Sequence, residues 1–124
     1  MRAAELIDGE YHTGREWLAA TIGTAFPDLP VQAAELFDSK RSGDLMVFAA
    51  ENWDFAKENI AGHGSVLAVD MHMPLIIAGP GIRKHDVIPI ARTVDVAPTI
   101  VEMIDPEKLP EQRFDGRSLL DQLQ

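Results

Sequence analysis

The chain has 124 residues, of which 46% are hydrophobic and 25% are charged, and this composition is typical of one globular domain rather than a disordered or fibrous chain. Its formal net charge is -9, from 20 acidic and 11 basic residues, so the negatively charged backbone of nucleic acid is excluded as a favourable partner. Cysteine is absent, which excludes disulfides and leaves any metal ion to histidine and carboxylate ligands.

The start of the chain does not have the pattern of an export signal. The first ten residues include the acidic Glu5, Asp8 and Glu10, whereas a signal peptide needs an apolar core in this region. No apolar run approaches the ~20 residues that a membrane-spanning helix requires. The sequence therefore predicts a soluble chain without a signal peptide and without a membrane partner; a cytoplasmic location is compatible with this, but the compartment is unknown.

Two helices are predicted near the N-terminus. Thr13 and Glu16 have the spacing of a capping box, in which each side chain accepts a hydrogen bond from a backbone N–H of the other residue. The helix that follows ends before a proline-rich break, and 31–37 is predicted as a second short helix.

Three segments are predicted as strands. Leu45–Ala50 and Pro74–Ala78 are continuous apolar runs next to turn residues, and this pattern is typical of buried strands. Val87–Ile90 is predicted as a short edge strand, because Pro89 removes one hydrogen-bond donor. A long loop, 51–73, separates the first two, and loops of this length are often functional.

The C-terminal third is predicted to contain two helices. Asp95–Ile104 fits a helix with Pro98 in its first turn, and Ser118 is placed to cap a final helix that ends at Leu123. The side of the first helix expected to be buried consists of Val94, Ala97, Ile100, Val101 and Ile104. Together these elements predict a single α/β domain over residues 1–124, with too few strands to cover its own sheet.

Five short stretches then occur in a recognisable order. They are Leu45–Ala50, Gly62-His63-Gly64-Ser65, Asp70–Ile82, Arg92–Ile100 and Asp115–Leu120. In this order, and most strongly over 43–123, they resemble the C-terminal portion of the alkaline phosphatase, type I phosphodiesterase and sulfatase superfamily. The resemblance implies a partial alkaline-phosphatase-like α/β sandwich with helices packed on the sheet.

The resemblance also implies a metal-dependent chemistry. Members of the superfamily hold zinc or other divalent ions, which activate a serine, threonine or modified nucleophile for attack on phosphorus or sulfur. The histidine of the His-Gly pair is a metal ligand in the phosphatase and phosphodiesterase branches, and this role maps onto His63. The nucleophile and the remaining ligands lie in segments upstream of the region that matches. No catalytic residue is therefore assigned, and the isolated chain is expected to be inactive without an N-terminal catalytic part.

Three further residues of the long loop are weighed beside His63. Asp70 and His72 are secondary candidates for metal ligation, since residues two apart on an extended segment point to the same side. The alternative, favoured for both, is that they orient the loop, with His72 bonded to structural carbonyl groups. Ser65 is rejected as a nucleophile because Leu67 breaks the Gly-x-Ser-x-Gly pattern. Sulfatases usually carry lysine just before the equivalent His-Gly, whereas this chain has Ala61-Gly62, which favours phosphoester chemistry slightly.

Two other functions stay open at this level. The first is a non-catalytic oligomerisation or interaction module on the same scaffold, because the predicted strands need cover that a second copy could supply. The second is a small metalloenzyme assembled across a dimer interface, with His63, Asp70 and His72 contributed by each chain.

Overall fold

A computed structural model describes residues 3–58, 64–84, 87–111 and 113–124. The chain divides into two compact units, Met1–Pro74 and Leu75–Gln124. Within the described ranges, no helix is both long enough and apolar enough to cross a membrane.

The first unit contains three α-helices. They are α1 (Gly14–Thr21), α2 (Leu29–Phe37) and α3 (Ala68–Met71), preceded by a 3₁₀ turn at Ala3–Leu6. The capping box predicted for α1 is confirmed: the Thr13 N–H donates to the Glu16 carboxylate at 2.7 Å, and the Glu16 N–H donates to Thr13 Oγ1 at 3.3 Å. The short helix predicted over 31–37 is also confirmed, although α2 begins two residues earlier.

Helices α1 and α2 are joined by a turn that the side chain of Thr21 stabilises. Its hydroxyl donates to the Trp17 carbonyl at 2.7 Å and accepts the Asp28 N–H at 2.9 Å. Asp28 precedes α2 with a left-handed φ of 59°, a conformation that asparagine and aspartate tolerate better than most residues. The buried apolar residues that the structure describes in this unit are Leu6, Leu18 and Pro27, so its core is small.

The second unit is arranged around α4 (Val96–Ile104). A 3₁₀ turn at Thr93–Asp95 leads into α4, a second one at Pro106–Glu111 follows it, and α5 (Leu120–Leu123) packs against it. The predicted helix over 95–104 is thus confirmed, with Pro98 in its first turn. Leu119 and Leu123 are buried and form the apolar centre of this unit.

The predicted α/β sandwich is wrong. The described residues contain no strand, so the helices do not pack on a sheet. Leu45–Ala50 and Leu75–Ala78 are neither helix nor strand, and the described residues at 87–90 do not pair either. The physical reason is that an apolar run favours burial but does not determine which segment its backbone pairs with. A lone strand is not stable in water. Leu45 and Ile76 are 82% and 87% exposed as a result.

Two details of the C-terminal helices also differ from expectation. The side of α4 that was expected to be buried is largely exposed, with Ile100 at 48% and Ile104 at 78%, while Pro98 and Thr99 are buried instead. Helix α5 begins at Leu120, later than predicted, and Ser118 does not cap it in the standard position. The Ser118 hydroxyl does accept the Leu120 N–H, at 3.1 Å.

Helix α1 is expected to lose stability at acid pH through Glu16. Hydrogen bonds from the side chain and then the backbone of Thr13 lower the pKa of Glu16. A carboxyl group with a lowered folded-state pKa contributes stability above its unfolded pKa, about 4.3, and this contribution is lost as pH falls through the folded value. NMR titration of the Glu16 carboxyl carbon should therefore give a midpoint below the ordinary glutamate pKa of about 4.3. Replacing Thr13 by Ala should raise the midpoint, and an unchanged midpoint would contradict the assigned cause.

Gly116 is expected to reject even one added methyl group. A Cβ at this position would lie 2.1 Å from the carbonyl oxygen of Val94. This oxygen belongs to the backbone, so no side-chain rotation can relieve the clash. Gly116→Ala should lower the free energy of unfolding by about 2 kcal/mol or more, as overpacking does. Chemical denaturation measures this, with Gly79→Ala as the matched control because a Cβ there meets nothing within 4 Å. Equal stability of the two variants would show that Gly116 and Val94 are not in contact.

Candidate functional site

The metal ligand implied by the resemblance, His63, lies outside the described residues. The described chain resumes at Gly64, which has a positive φ of 110°, a backbone conformation that favours glycine. The two secondary candidates, Asp70 and His72, are described, and both belong to the segment that follows.

Asp70 is bonded within its own loop. Its carboxylate accepts hydrogen bonds from the hydroxyl group of Ser65 and, at 3.3 Å, from the Ser65 N–H. The Ser65 hydroxyl oxygen in turn accepts the Leu67 N–H at 3.2 Å. Because α3 begins at Ala68, these bonds fold the chain between Gly64 and α3 into a closed turn.

The segment 64–72 is attached to the end of α1. The His72 Nε2 atom lies 3.1 Å from the carbonyl oxygen of Ile22, and the Ala68 N–H donates to the Ala25 carbonyl at 2.9 Å. The contact of His72 with a backbone carbonyl is the kind expected of a histidine that orients a loop. Asp70 and His72 are thus directed at different groups, Ser65 and Ile22.

The described residues around Asp70 and His72 do not form a complete metal site. Over the ranges that the structure describes, no group of three or more histidine, aspartate or glutamate side chains is arranged to hold a metal ion. A zinc site usually needs four ligands, three of them from protein when it is catalytic. The described residues therefore do not fit a complete metal site, and no reaction step is derived through a metal ion.

The second cluster of interest is centred on a buried carboxylate, that of Asp95, which is 1% exposed. Its two oxygens accept the backbone N–H groups of Arg92 and Arg117, both at 2.9 Å. Arg117 is 22 residues further along the chain. Asp95 thereby links the stretches Arg92–Ile100 and Asp115–Leu120, two of the five that make up the resemblance.

Thr99 adds a second link between the same stretches. Its hydroxyl donates to the Asp95 carbonyl at 2.6 Å and accepts the Leu119 N–H at 3.0 Å. Gly116 lies against the Val94 carbonyl, where no larger residue fits. The bond of Asp95 to Arg117, the bond of Thr99 to Leu119 and the close approach of Gly116 to Val94 all connect 94–99 with 116–119.

No role for Asp95 or Thr99 was predicted from the sequence. The sequence does contain a local indication of one: Asp95 and Thr99 lie on either side of Pro98 at the start of an apolar helix, where short polar side chains often bond to backbone groups. The partner residues could not be identified, because hydrogen bonds to Arg117 and Leu119 are long-range and leave no periodicity in the sequence.

The chain matches no family model, and neither curated proteins nor solved structures show a significant similarity to it.

Removing the carboxylate of Asp95 is expected to destabilise the second unit strongly. Asp95→Ala leaves two backbone N–H groups without an acceptor, and each loss costs about 1–3 kcal/mol. The free energy of unfolding should therefore fall by about 3 kcal/mol. Glu107→Ala, which removes an exposed carboxylate from the same unit, should change it by less than about 0.5 kcal/mol. Similar values for the two variants would contradict the structural role of Asp95.

Asp70→Ala is expected to release the turn that follows Gly64. The Ser65 N–H loses its acceptor. The Ser65 hydroxyl, which accepts the Leu67 N–H, is no longer held in place by the Asp70 carboxylate. Hydrogen exchange at Ser65 and Leu67 should become about tenfold faster, as expected for the loss of a hydrogen bond to a charged group. Exchange in α2 should not change, and Asp38→Ala should leave Ser65 unaffected. An unaltered Ser65 rate in the Asp70 variant would refute the contact.

Proposed function

We propose that this chain is the C-terminal segment of a metal-dependent phosphoester hydrolase of the alkaline phosphatase, phosphodiesterase and sulfatase superfamily, and that it is inactive by itself. His63 contributes one metal ligand. The nucleophile and the other ligands come from an N-terminal catalytic part of the enzyme. Sulfate esters are the alternative substrate class.

The observation on which the proposal depends is the order of the five stretches between Leu45 and Leu120. The junction at Asp95 supports it, because it gives two of those stretches, Arg92–Ile100 and Asp115–Leu120, a common structural reason to occur together. The carboxylate, the Thr99 hydroxyl and Gly116 each need a specific partner in the other stretch. If the two stretches resembled the superfamily only by chance, there would be no reason for their residues to bond to one another.

The metal in such an enzyme would activate the nucleophile and stabilise charge on the leaving group. The contribution of this chain would be narrower. His63 would bind the ion, Asp70 would hold the turn that follows Gly64, and the bond of His72 to the Ile22 carbonyl would keep that segment attached to the end of α1. Neither residue is proposed as a ligand in the isolated chain.

A non-catalytic interaction module is the second candidate, and a specific observation favours it. Large apolar side chains are exposed in both units, among them Leu45, Trp53 and Ile76 at 82%, 77% and 87%. Exposed apolar surface of this kind marks contact with another protein surface. Either the catalytic part of the enzyme or a second copy of the chain would supply that cover.

The test is an assay of the purified chain with zinc against aryl phosphate monoester, phosphodiester and sulfate ester substrates, with His63→Ala in parallel. We expect no turnover above that of the variant, because one histidine does not make a hydrolytic site. We also expect weak zinc binding that is lost in the variant, which NMR titration detects. Turnover abolished by His63→Ala would show that the chain builds a complete site, as in the dimeric metalloenzyme, and would overturn the proposed inactivity.

Absence of any zinc response at His63 would instead count against the family proposal. Sedimentation then separates the remaining alternatives. A stable dimer that binds no zinc is the result expected of an interaction module, and a well-folded monomer would argue against that module.

A further inference from the structure

A cavity of ≈ 320 Å³ is present in the unit Leu75–Gln124. Five of the seven residues that line it are apolar, and they come from three parts of the unit: the turn before Arg83, the end of α4 with the residues after it, and α5. The apolar residues that line it are Pro80, Ile82, Met103, Pro106 and Leu120. Its size is within the range of small-molecule binding sites, about 300–1,000 Å³.

The cavity is bounded by tertiary hydrogen bonds. The Arg83 N–H donates to the Leu123 carbonyl at 2.7 Å, and the Arg83 guanidinium donates to the Gln122 carbonyl at 2.8 Å. These two bonds attach the chain next to Pro80 and Ile82 to the end of α5. Because α5 also packs against α4, all three parts of the wall are connected to one another.

The other two residues that line the cavity are Glu102 and Gln124, whose side chains carry a carboxylate and an amide. Glu102 is half-buried, and within the part of the chain that the structure describes its carboxylate has no ion-pair or hydrogen-bond partner. The nearby cations are bonded elsewhere: Lys108 lies 3.7 Å from the Asp105 carboxylate, and Arg83 donates to Gln122. Glu102 is therefore the charged group that the cavity offers to a ligand.

We propose that this cavity binds an organic ammonium ion that has an apolar stem. The stem would contact the proline, isoleucine, methionine and leucine side chains, and the ammonium group would donate to Glu102 and to the amide oxygen of Gln124. A partly buried carboxylate attracts a cation more strongly than an exposed one, because the neighbouring protein screens the charge less than water does. The negative net charge of the chain, -9, disfavours anions at the same site.

This assignment does not depend on the proposed hydrolase function. The cavity lies in the second unit, whereas His63, Asp70 and His72 belong to the first. Failure of one proposal leaves the other intact.

The experiment uses three probes that share one stem: 4-phenylbutylamine, the neutral 4-phenylbutanol and the anionic 4-phenylbutyrate. Each is titrated at pH 7 into the full chain and followed by two-dimensional NMR of the backbone amides. We expect the amine to shift the amides of Ile82, Met103 and Leu120, and to bind at least about threefold more tightly than the alcohol, the ratio typical of one partly exposed ion pair. The butyrate should bind more weakly than the alcohol.

Glu102→Gln keeps the size of the side chain and removes its charge, so the amine should then bind no better than the alcohol. Glu107→Gln makes the same change in net charge at a residue that does not line the cavity, and it should leave the preference intact. The proposal is overturned if the amine and the alcohol bind the wild-type chain equally, if Glu107→Gln abolishes the preference as Glu102→Gln does, or if the shifted amides lie outside the cavity walls.

Discussion

The carboxylate of Asp95 is the group on which the second unit depends. It is fully buried, and a buried charge is costly unless hydrogen bonds replace the water that it lost. The N–H groups of Arg92, three residues before it, and Arg117, 22 residues after it, supply those bonds. Thr99 and Gly116 contact residues across the same junction, and Leu119, which donates to Thr99, is buried. The buried polar contacts and the apolar centre of the unit thus lie at the same junction.

The first unit has no comparable centre. Its helices are held by local bonds, the capping box of α1 and the Thr21 hydroxyl, and its core is small. The segment 64–72 is attached to the rest of this unit by the bonds of His72 to Ile22 and of Ala68 to Ala25. Leu45, Trp53 and Phe55 are exposed.

Local signals in the sequence predicted local structure well. The spacing of Thr13 and Glu16 identified the start of α1, and the position of Pro98 identified the first turn of α4, because both effects act within one helical turn. The strands were wrong, because the apolar run at 45–50 cannot specify a partner for its backbone. At the candidate site, the hydrogen bond of His72 to a carbonyl group was among the alternatives weighed. The link from Asp95 to Arg117 was not foreseen, since it joins residues that are distant in sequence.

Asp95 and Thr99 join the two C-terminal stretches, and hydrogen exchange of the backbone amides tests this junction most directly. The Arg117 and Leu119 amides lie in a region with little regular helix, where exchange is ordinarily fast. We expect both to be protected to about the same degree as the amides inside α4, because their acceptors are buried oxygens of Asp95 and Thr99. Exchange of Arg117 and Leu119 at the rate of unprotected loop amides would contradict it.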